Sequence, residues 1–117
     1  LPLGGSKGHV DVALRKAVTL KSVAVEHIPK ISAFNITTAP KDMTLYAILG
    51  RREEAEMREL ASFVYSIQGP PVQVFPVTKG EGAVVSRVRL QVNSNHGSES
   101  YTCLYRFRAY GDPAPDQ

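Results

Sequence analysis

The sequence predicts an all-β protein built as an antiparallel sandwich or jelly roll, and three observations lead to this fold class. Apolar and polar residues alternate along many short segments, as half-buried strands require. Clusters of turn-forming residues separate those segments. Helix-favouring composition is confined to one stretch of about ten residues. An antiparallel sheet with one buried face explains all three.

The first strand signal lies in residues 9–14, where Val10, Val12 and Leu14 share one face. The same period of two recurs in residues 22–27, 43–48, 63–65, 72–75, 88–92 and 103–108. The intervening turn formers include Gly69–Pro71, Lys79–Gly82 and Asn93–Gly97. The exception is Arg51 to Leu60, whose composition and charge spacing predict either one or two helical turns or a solvated loop.

Length and composition indicate one globular domain. The chain has 117 residues, of which 43% are apolar and 21% charged, near the average for folded proteins. We expect the domain to cover residues 1–111 and residues 112–117, with two prolines, to form a flexible tail. The start at Leu1 resembles a cut within a longer protein. No apolar run is long enough to cross a bilayer, so any membrane anchor is expected outside this fragment.

Residue types and spacings argue against two broad functional classes. The sequence has no phosphate-binding glycine loop, no Gly-x-Ser-x-Gly elbow and no zinc-type spacing of Cys103 with the histidines, so it predicts neither an enzyme nor a metal site. The net charge of +3 comes from bases scattered among acids. Alternation puts Tyr105 and Phe107 on one face and Arg106 and Arg108 on the other, which is unsuited to a nucleic-acid platform.

Several polar residues are candidates for ligand binding. Tyr101 and Tyr105 are four apart on one predicted strand and therefore share a face. His27 lies at a strand end, before Pro29, and Thr38 offers a hydroxyl at the entry to another strand. Taken singly, each has an ordinary structural explanation in packing, capping or surface exposure. Cys103 is either a buried thiol or half of a disulfide.

Four segments, in order along the chain, make the prediction more specific: Val25–Lys30, Thr38–Asp42, Ser94–Gly97 and Tyr101–Arg108. Together they resemble the SUN domain, the C-terminal module of nuclear-envelope proteins in the LINC complex. The resemblance spans Leu3 to Gly111, and the turn at residues 95–97 resembles plant-type members more closely than animal ones.

The resemblance implies a binding site for the C-terminal tail of a KASH protein. In the family, a histidine, a serine and two tyrosines hold the terminal carboxylate, and their motif positions fall here on His27, Thr38, Tyr101 and Tyr105. Threonine replaces serine but keeps the hydroxyl. These groups suit the task because a desolvated carboxylate requires several converging hydrogen-bond donors.

The resemblance also implies features outside this fragment, including the KASH lid and a coiled coil that makes the full-length protein a homotrimer. The family pairs the position of Cys103 with a cysteine upstream of Leu1. Its structural monovalent-cation loop lies upstream as well, leaving at most the Tyr105 backbone as a contact and no cofactor for this fragment. Asn35 begins an N-glycosylation sequon, which a lumenal location would make usable.

The resulting expectation is a non-enzymatic tether of the inner nuclear membrane. Its domain would lie in the perinuclear space, hold KASH tails and couple the nucleus to the cytoskeleton. The alternative is a discoidin-like jelly roll that binds carbohydrate or glycoprotein, because one fold supports different sites.

Overall fold

The computed structural model describes residues 2–5, 7–27, 39–50, 55–79, 84–97, 101–103 and 106–113, with only the backbone for residues 2–3 and 101–103. Eight strands make up this part of the chain: β1 (Pro2–Gly4), β2 (Gly8–Glu26), β3 (Asp42–Leu49), β4 (Glu56–Val64), β5 (Val72–Pro76), β6 (Val84–Val92), β7 (Tyr101–Cys103) and β8 (Arg106–Pro113). All pairings among them are antiparallel. The all-β antiparallel fold class is confirmed.

Strand β2 organises the fold because it pairs with different partners along its length. Residues 8–19 pair with β6, and residues 22–26 pair with β5. Strand β8 pairs with residues 18–26, on the opposite edge of β2. The result is a first layer in the order β4-β3-β6-β2 and a second layer in the order β5-β2-β8. Strands β1 and β7 form a separate pair.

The two layers face each other across one apolar core. Val23 and Val25 of β2, with no exposed surface, point inward from the second layer, and Leu45 and Leu90 do so from the first. The edge strands meet where the rings of Phe63 and Phe75 stack with centroids 4.1 Å apart. The predicted face of Val10, Val12 and Leu14 is half-buried, while the alternating residues between them are exposed.

Irregular pairing allows β2 to pass from one layer to the other. Its register shifts between Ala13 and Val18 against β6, and between Leu20 and Ser22 against β8. Such bulges bend a strand and increase its twist. At the second bulge the backbones approach so closely that a Cβ on Gly111 would overlap the carbonyl oxygen of Thr19. Glycine is therefore required at this position, because any other side chain would clash with the backbone of β2.

Two local predictions need correction. Residues 56–60, expected to be helix or solvated loop, belong to β4 and pair with β3, so tertiary pairing overrides helix-favouring composition. Residues 51–54 lie outside the described residues. Asp112 and Pro113, assigned to a flexible tail, pair with Thr19 and Val18 and so belong to the sheet. Residues 114–117 lie outside the described part.

Candidate binding site

His27 lies where β2 ends, and it is buried with only 5% of its surface exposed. Its backbone N–H donates a hydrogen bond to the carbonyl oxygen of Pro71, at 3.2 Å. This contact continues the pairing between β2 and the start of β5, so the backbone at His27 remains tied to the second layer. The structure therefore holds this imidazole inside the protein, at one end of the sandwich.

Tyr65 shares the Pro71 carbonyl with His27. The Tyr65 hydroxyl donates to this oxygen at 2.5 Å, and the residue is 3% exposed. Burial raises the pKa of the Tyr65 hydroxyl, the hydrogen-bonded His27 backbone lowers it, and the charge of Glu26 raises it further. The phenol stays neutral at ordinary pH and acts as a donor that fixes the turn next to His27.

His96 connects this cluster to the turn at residues 95–97. Its Nε2 lies 2.8 Å from the Tyr65 carbonyl oxygen and donates to it, since a carbonyl can only accept. Its backbone N–H donates to the Ala39 carbonyl at 3.0 Å. Ala39 is completely buried. The end of β2, the residue after β4 and the segment entering β3 are thus joined by hydrogen bonds.

Further backbone contacts hold the same segments together. Pro40 and Asn95 form an isolated bridge, and Lys41 donates to Ser94 at 2.8 Å. Tyr65 donates in turn to Lys41 at 2.9 Å. Because these backbone groups are satisfied within the chain, the framework around His27 is preorganised.

The structure describes some of the predicted site residues, while others lie outside the described residues. Thr38 lies outside the described residues, although its neighbour Ala39 belongs to the His96 contact. Tyr105 also lies outside them, and its neighbour Arg106 pairs with Glu26, the residue before His27. Tyr101 pairs with Gly4 through its backbone. The convergence of the four side chains stays a prediction.

The structure also describes the remaining predicted sites only in part. Cys103 pairs with Pro2 through its backbone, so the N-terminal stretch lies beside the strand that carries this cysteine, and the disulfide stays a prediction. Asn35 lies outside the described residues. Within the described ranges, no group of three or more histidine, cysteine, aspartate or glutamate residues could hold a metal ion. In the same ranges no helix long and apolar enough to span a membrane is found.

The hydrogen-bonded cluster of Tyr65, Pro71 and His96 was not predicted as part of the site. The sequence pattern assigns Tyr65 only to a strand, and Pro71 and His96 only to turns. Hydrogen bonds link the three to one another and, through the Pro71 carbonyl, to the His27 backbone, although all three are distant from His27 in the chain. No local pattern in the sequence predicts such a contact.

The fold defines a structural class, the jelly roll, rather than a particular activity. The solved family 32 carbohydrate-binding module of Streptococcus pneumoniae EndoD has a similar fold, with a TM-score of 0.71 over 94% of this chain and 73% of that chain. Sequence identity is 18%, so the likeness shows the jelly-roll type of fold alone.

Sequence comparison is more specific. The family described as Sad1 / UNC-like C-terminal matches residues 1–113. SUN domain-containing protein 2 of Arabidopsis thaliana is 40% identical over 94% of this chain, and SUN domain-containing protein 3 of Bos taurus is 39% identical over 96%. The chain spans 25% and 31% of those two relatives. This chain belongs to the Sad1 / UNC-like C-terminal family and is a SUN domain.

Proposed function

We propose that this SUN domain binds the C-terminal tail of a KASH protein in the perinuclear space and so contributes to the LINC bridge between nucleus and cytoskeleton. The observation that carries the proposal is the buried His27 at the end of β2, held in a hydrogen-bonded framework next to the chain neighbours of Thr38 and Tyr105. Family membership supports the same assignment.

The chemistry of the site is capture of a terminal carboxylate. The imidazole of His27, the hydroxyl of Thr38 and the phenols of Tyr101 and Tyr105 supply the donors. Charge-assisted hydrogen bonds are stronger than neutral ones, and several together offset the cost of removing a carboxylate from water. The domain performs no reaction, because its task is to hold a tail under load.

Other parts of the proposal concern the longer protein. Since this chain spans under a third of these two relatives, the membrane anchor, the lid, the trimerising coiled coil and the cysteine that pairs with Cys103 would lie beyond it. The perinuclear space is continuous with the oxidising ER lumen, where such a disulfide persists. Trimerisation would link three sites and increase avidity without new contacts.

Calorimetric titration of a longer chain that includes the upstream lid and coiled coil tests the site directly. We expect a synthetic KASH tail with a free carboxylate to bind tightly, and the same tail extended by one C-terminal residue not to bind. Changing His27→Ala and Tyr105→Phe together should abolish the interaction. His9→Ala, an exposed histidine of the first layer, serves as the matched control. Unchanged affinity in the double variant would reject the pocket.

The alternative of carbohydrate or glycoprotein binding is supported only by the fold likeness to a carbohydrate-binding module. A glycan array with the same chain tests it. Saturable glycan binding combined with no affinity for either tail would replace the KASH proposal.

A further inference from the structure

The outer face of the second layer forms a shallow trough, distinct from the site around His27. It encloses about 260 Å³ and is lined by Ala24, Glu26, Val72, Arg106, Arg108 and Tyr110. Strand register explains its shape. Across the sheet, Val72, Glu26 and Arg106 form one row, and Val74, Ala24 and Arg108 form the next. A third row consists of Pro76, Ser22 and Tyr110.

These rows give the trough two chemically different walls. The β5 wall consists of Val72, Val74 and Pro76 and is apolar, whereas the β8 wall carries Arg106 and Arg108. The floor along β2 is low because Ser22 and Ala24 are small. A segment lying along β2 would therefore meet apolar surface on one side and guanidinium groups on the other.

The outer face of the second layer exposes side chains that a partner could contact. Six large hydrophobic residues are exposed in the described part of the chain, and three of them belong to this face: Val72, Val74 and Tyr110, at 46%, 59% and 44%. Concentration of exposed apolar surface in one place is typical of interaction sites.

Charge identifies the partner's chemistry. Glu26 lies 3.9 Å from Arg106 and partly neutralises it. Arg108 has no ion pair among the described residues and pairs across the sheet with the buried Ala24. The volume is below the roughly 300–1,000 Å³ of pockets that enclose a small molecule, so it suits side chains presented by a larger partner.

We propose that this trough docks an extended protein segment in which acidic and apolar side chains alternate. In an extended segment, successive side chains point to opposite sides. Acidic residues would then face Arg108 and Arg106 while apolar residues face Val72 and Val74. The segment is bound through side chains and needs no free terminal carboxylate, which separates this site from the tail site.

An NMR titration tests the proposal. The probe is a peptide of about eight residues that alternates leucine and glutamate, long enough at about 3.3 Å per residue to exceed the trough. Both ends are blocked, so the tail site is not addressed. We expect saturable shifts of the Ala24, Val74 and Arg108 amides. A matched peptide with glutamine in place of glutamate should bind about fivefold more weakly.

Variants separate the two walls. Arg108→Gln should weaken binding of the glutamate peptide about fivefold and remove the difference between the two peptides. Val74→Ser should weaken both peptides equally. Arg15→Gln, which changes an exposed arginine outside the trough, should leave both affinities unchanged. Unaltered amide signals elsewhere verify that each variant is folded.

Three results would overturn the proposal. The first is that neither peptide shifts the trough amides. The second is that these signals broaden with protein concentration alone, which would assign the face to a second copy of the chain. The third is that free glucuronic acid binds there more tightly than the glutamate peptide, which would assign it to an acidic sugar.

Discussion

The outer faces of the two layers differ in how their polar groups are satisfied. On the first layer, Arg89 donates to both carboxylate oxygens of Asp11, at 2.7 and 2.9 Å. Nearby, Gln91 donates to Asn93, which donates to Thr44, each at 3.1 Å. On the second layer, Arg108 has no ion pair within the described residues and Val74 is 59% exposed. One face is internally paired, and the other is open to a partner.

This contrast follows from the neighbours that pairing gives each strand. Side chains of β2, β6 and β3 on the first layer are complementary across the sheet, so their donors and acceptors meet. On the second layer, Val74 and Arg108 stand on either side of Ala24, which can pair with neither, so this row leaves an apolar and a cationic group on the outer face. We infer that the first layer supports the fold while the second layer carries recognition.

The largest effect is expected where the second layer joins β2. Gly111→Ala would place a Cβ in overlap with the Thr19 carbonyl oxygen and 2.9 Å from the Leu20 Cα, and neither backbone atom can move freely. We expect a loss of about 1–3 kcal/mol in the free energy of unfolding, the range for overpacking. Urea unfolding measures the loss, and faster amide exchange in β8 than in β3 would locate it in the second layer.

Gly4→Ala is the matched control for this change, because a Cβ at Gly4 would meet nothing within 4 Å. Its free energy of unfolding should stay within about 0.5 kcal/mol of the parent protein. Equal destabilisation by the two substitutions would show that the close approach of β8 to the β2 bulge is not what makes Gly111 necessary.

Alternation predicted most strands but not the continuity of β2. Val10, Val12 and Leu14 show a clear period of two, whereas Arg15 and Lys16 are both exposed and interrupt it. The bulge there shifts the pairing register. The alternation of apolar and polar residues is therefore interrupted in the sequence, although the strand continues. Only the end of β4 was predicted, at residues 63–65, and its first part was missed for a related reason, since residues 56–58 are all exposed and give no alternation.

The site could be predicted only in part for a different reason. The motif around His27 carries a family resemblance, so the residue could be named from the sequence. Tyr65 and His96 could not, because 38 and 69 positions separate them from His27 and the hydrogen bonds that link them depend on how β2 pairs with β5 and β4 with β3. Local patterns specify strands, and topology decides which strand ends meet.

A smaller effect is expected for the hydroxyl that fixes the turn beside His27. Tyr65→Phe removes the 2.5 Å hydrogen bond to Pro71, whose carbonyl keeps the His27 N–H as a partner. We expect a loss of about 1 kcal/mol in stability and weaker binding of the KASH tail by the longer chain. Urea unfolding and calorimetry measure the two effects.

Tyr46→Phe provides the comparison from the first layer. The Tyr46 hydroxyl makes no hydrogen bond within the described residues, so its removal should change neither stability nor tail affinity. If Tyr65→Phe lowered stability but left tail affinity unchanged, the hydroxyl would support the fold without positioning His27.

The smallest effect is expected on the paired face of the first layer. The Asp11 and Arg89 side chains are 45% and 30% exposed, so Asp11→Asn should cost no more than about 1 kcal/mol at neutral pH. Asp112→Asn is the control, because its contact with Lys21 is 3.9 Å long and both side chains are mostly exposed. It should have no measurable effect.

The Asp11 contribution should also depend on pH in a defined direction. Hydrogen bonds from Arg89 lower the pKa of Asp11 below its ordinary value of 3.8, more than burial raises it. The carboxylate therefore stabilises the folded state above about pH 4, and this stabilisation is lost as the pH falls through the lower pKa of the folded protein. Urea unfolding from pH 7 to pH 2 should show the parent protein and Asp11→Asn converging at the acid end. A constant difference across that range would mean that the pair stabilises the face through packing rather than charge.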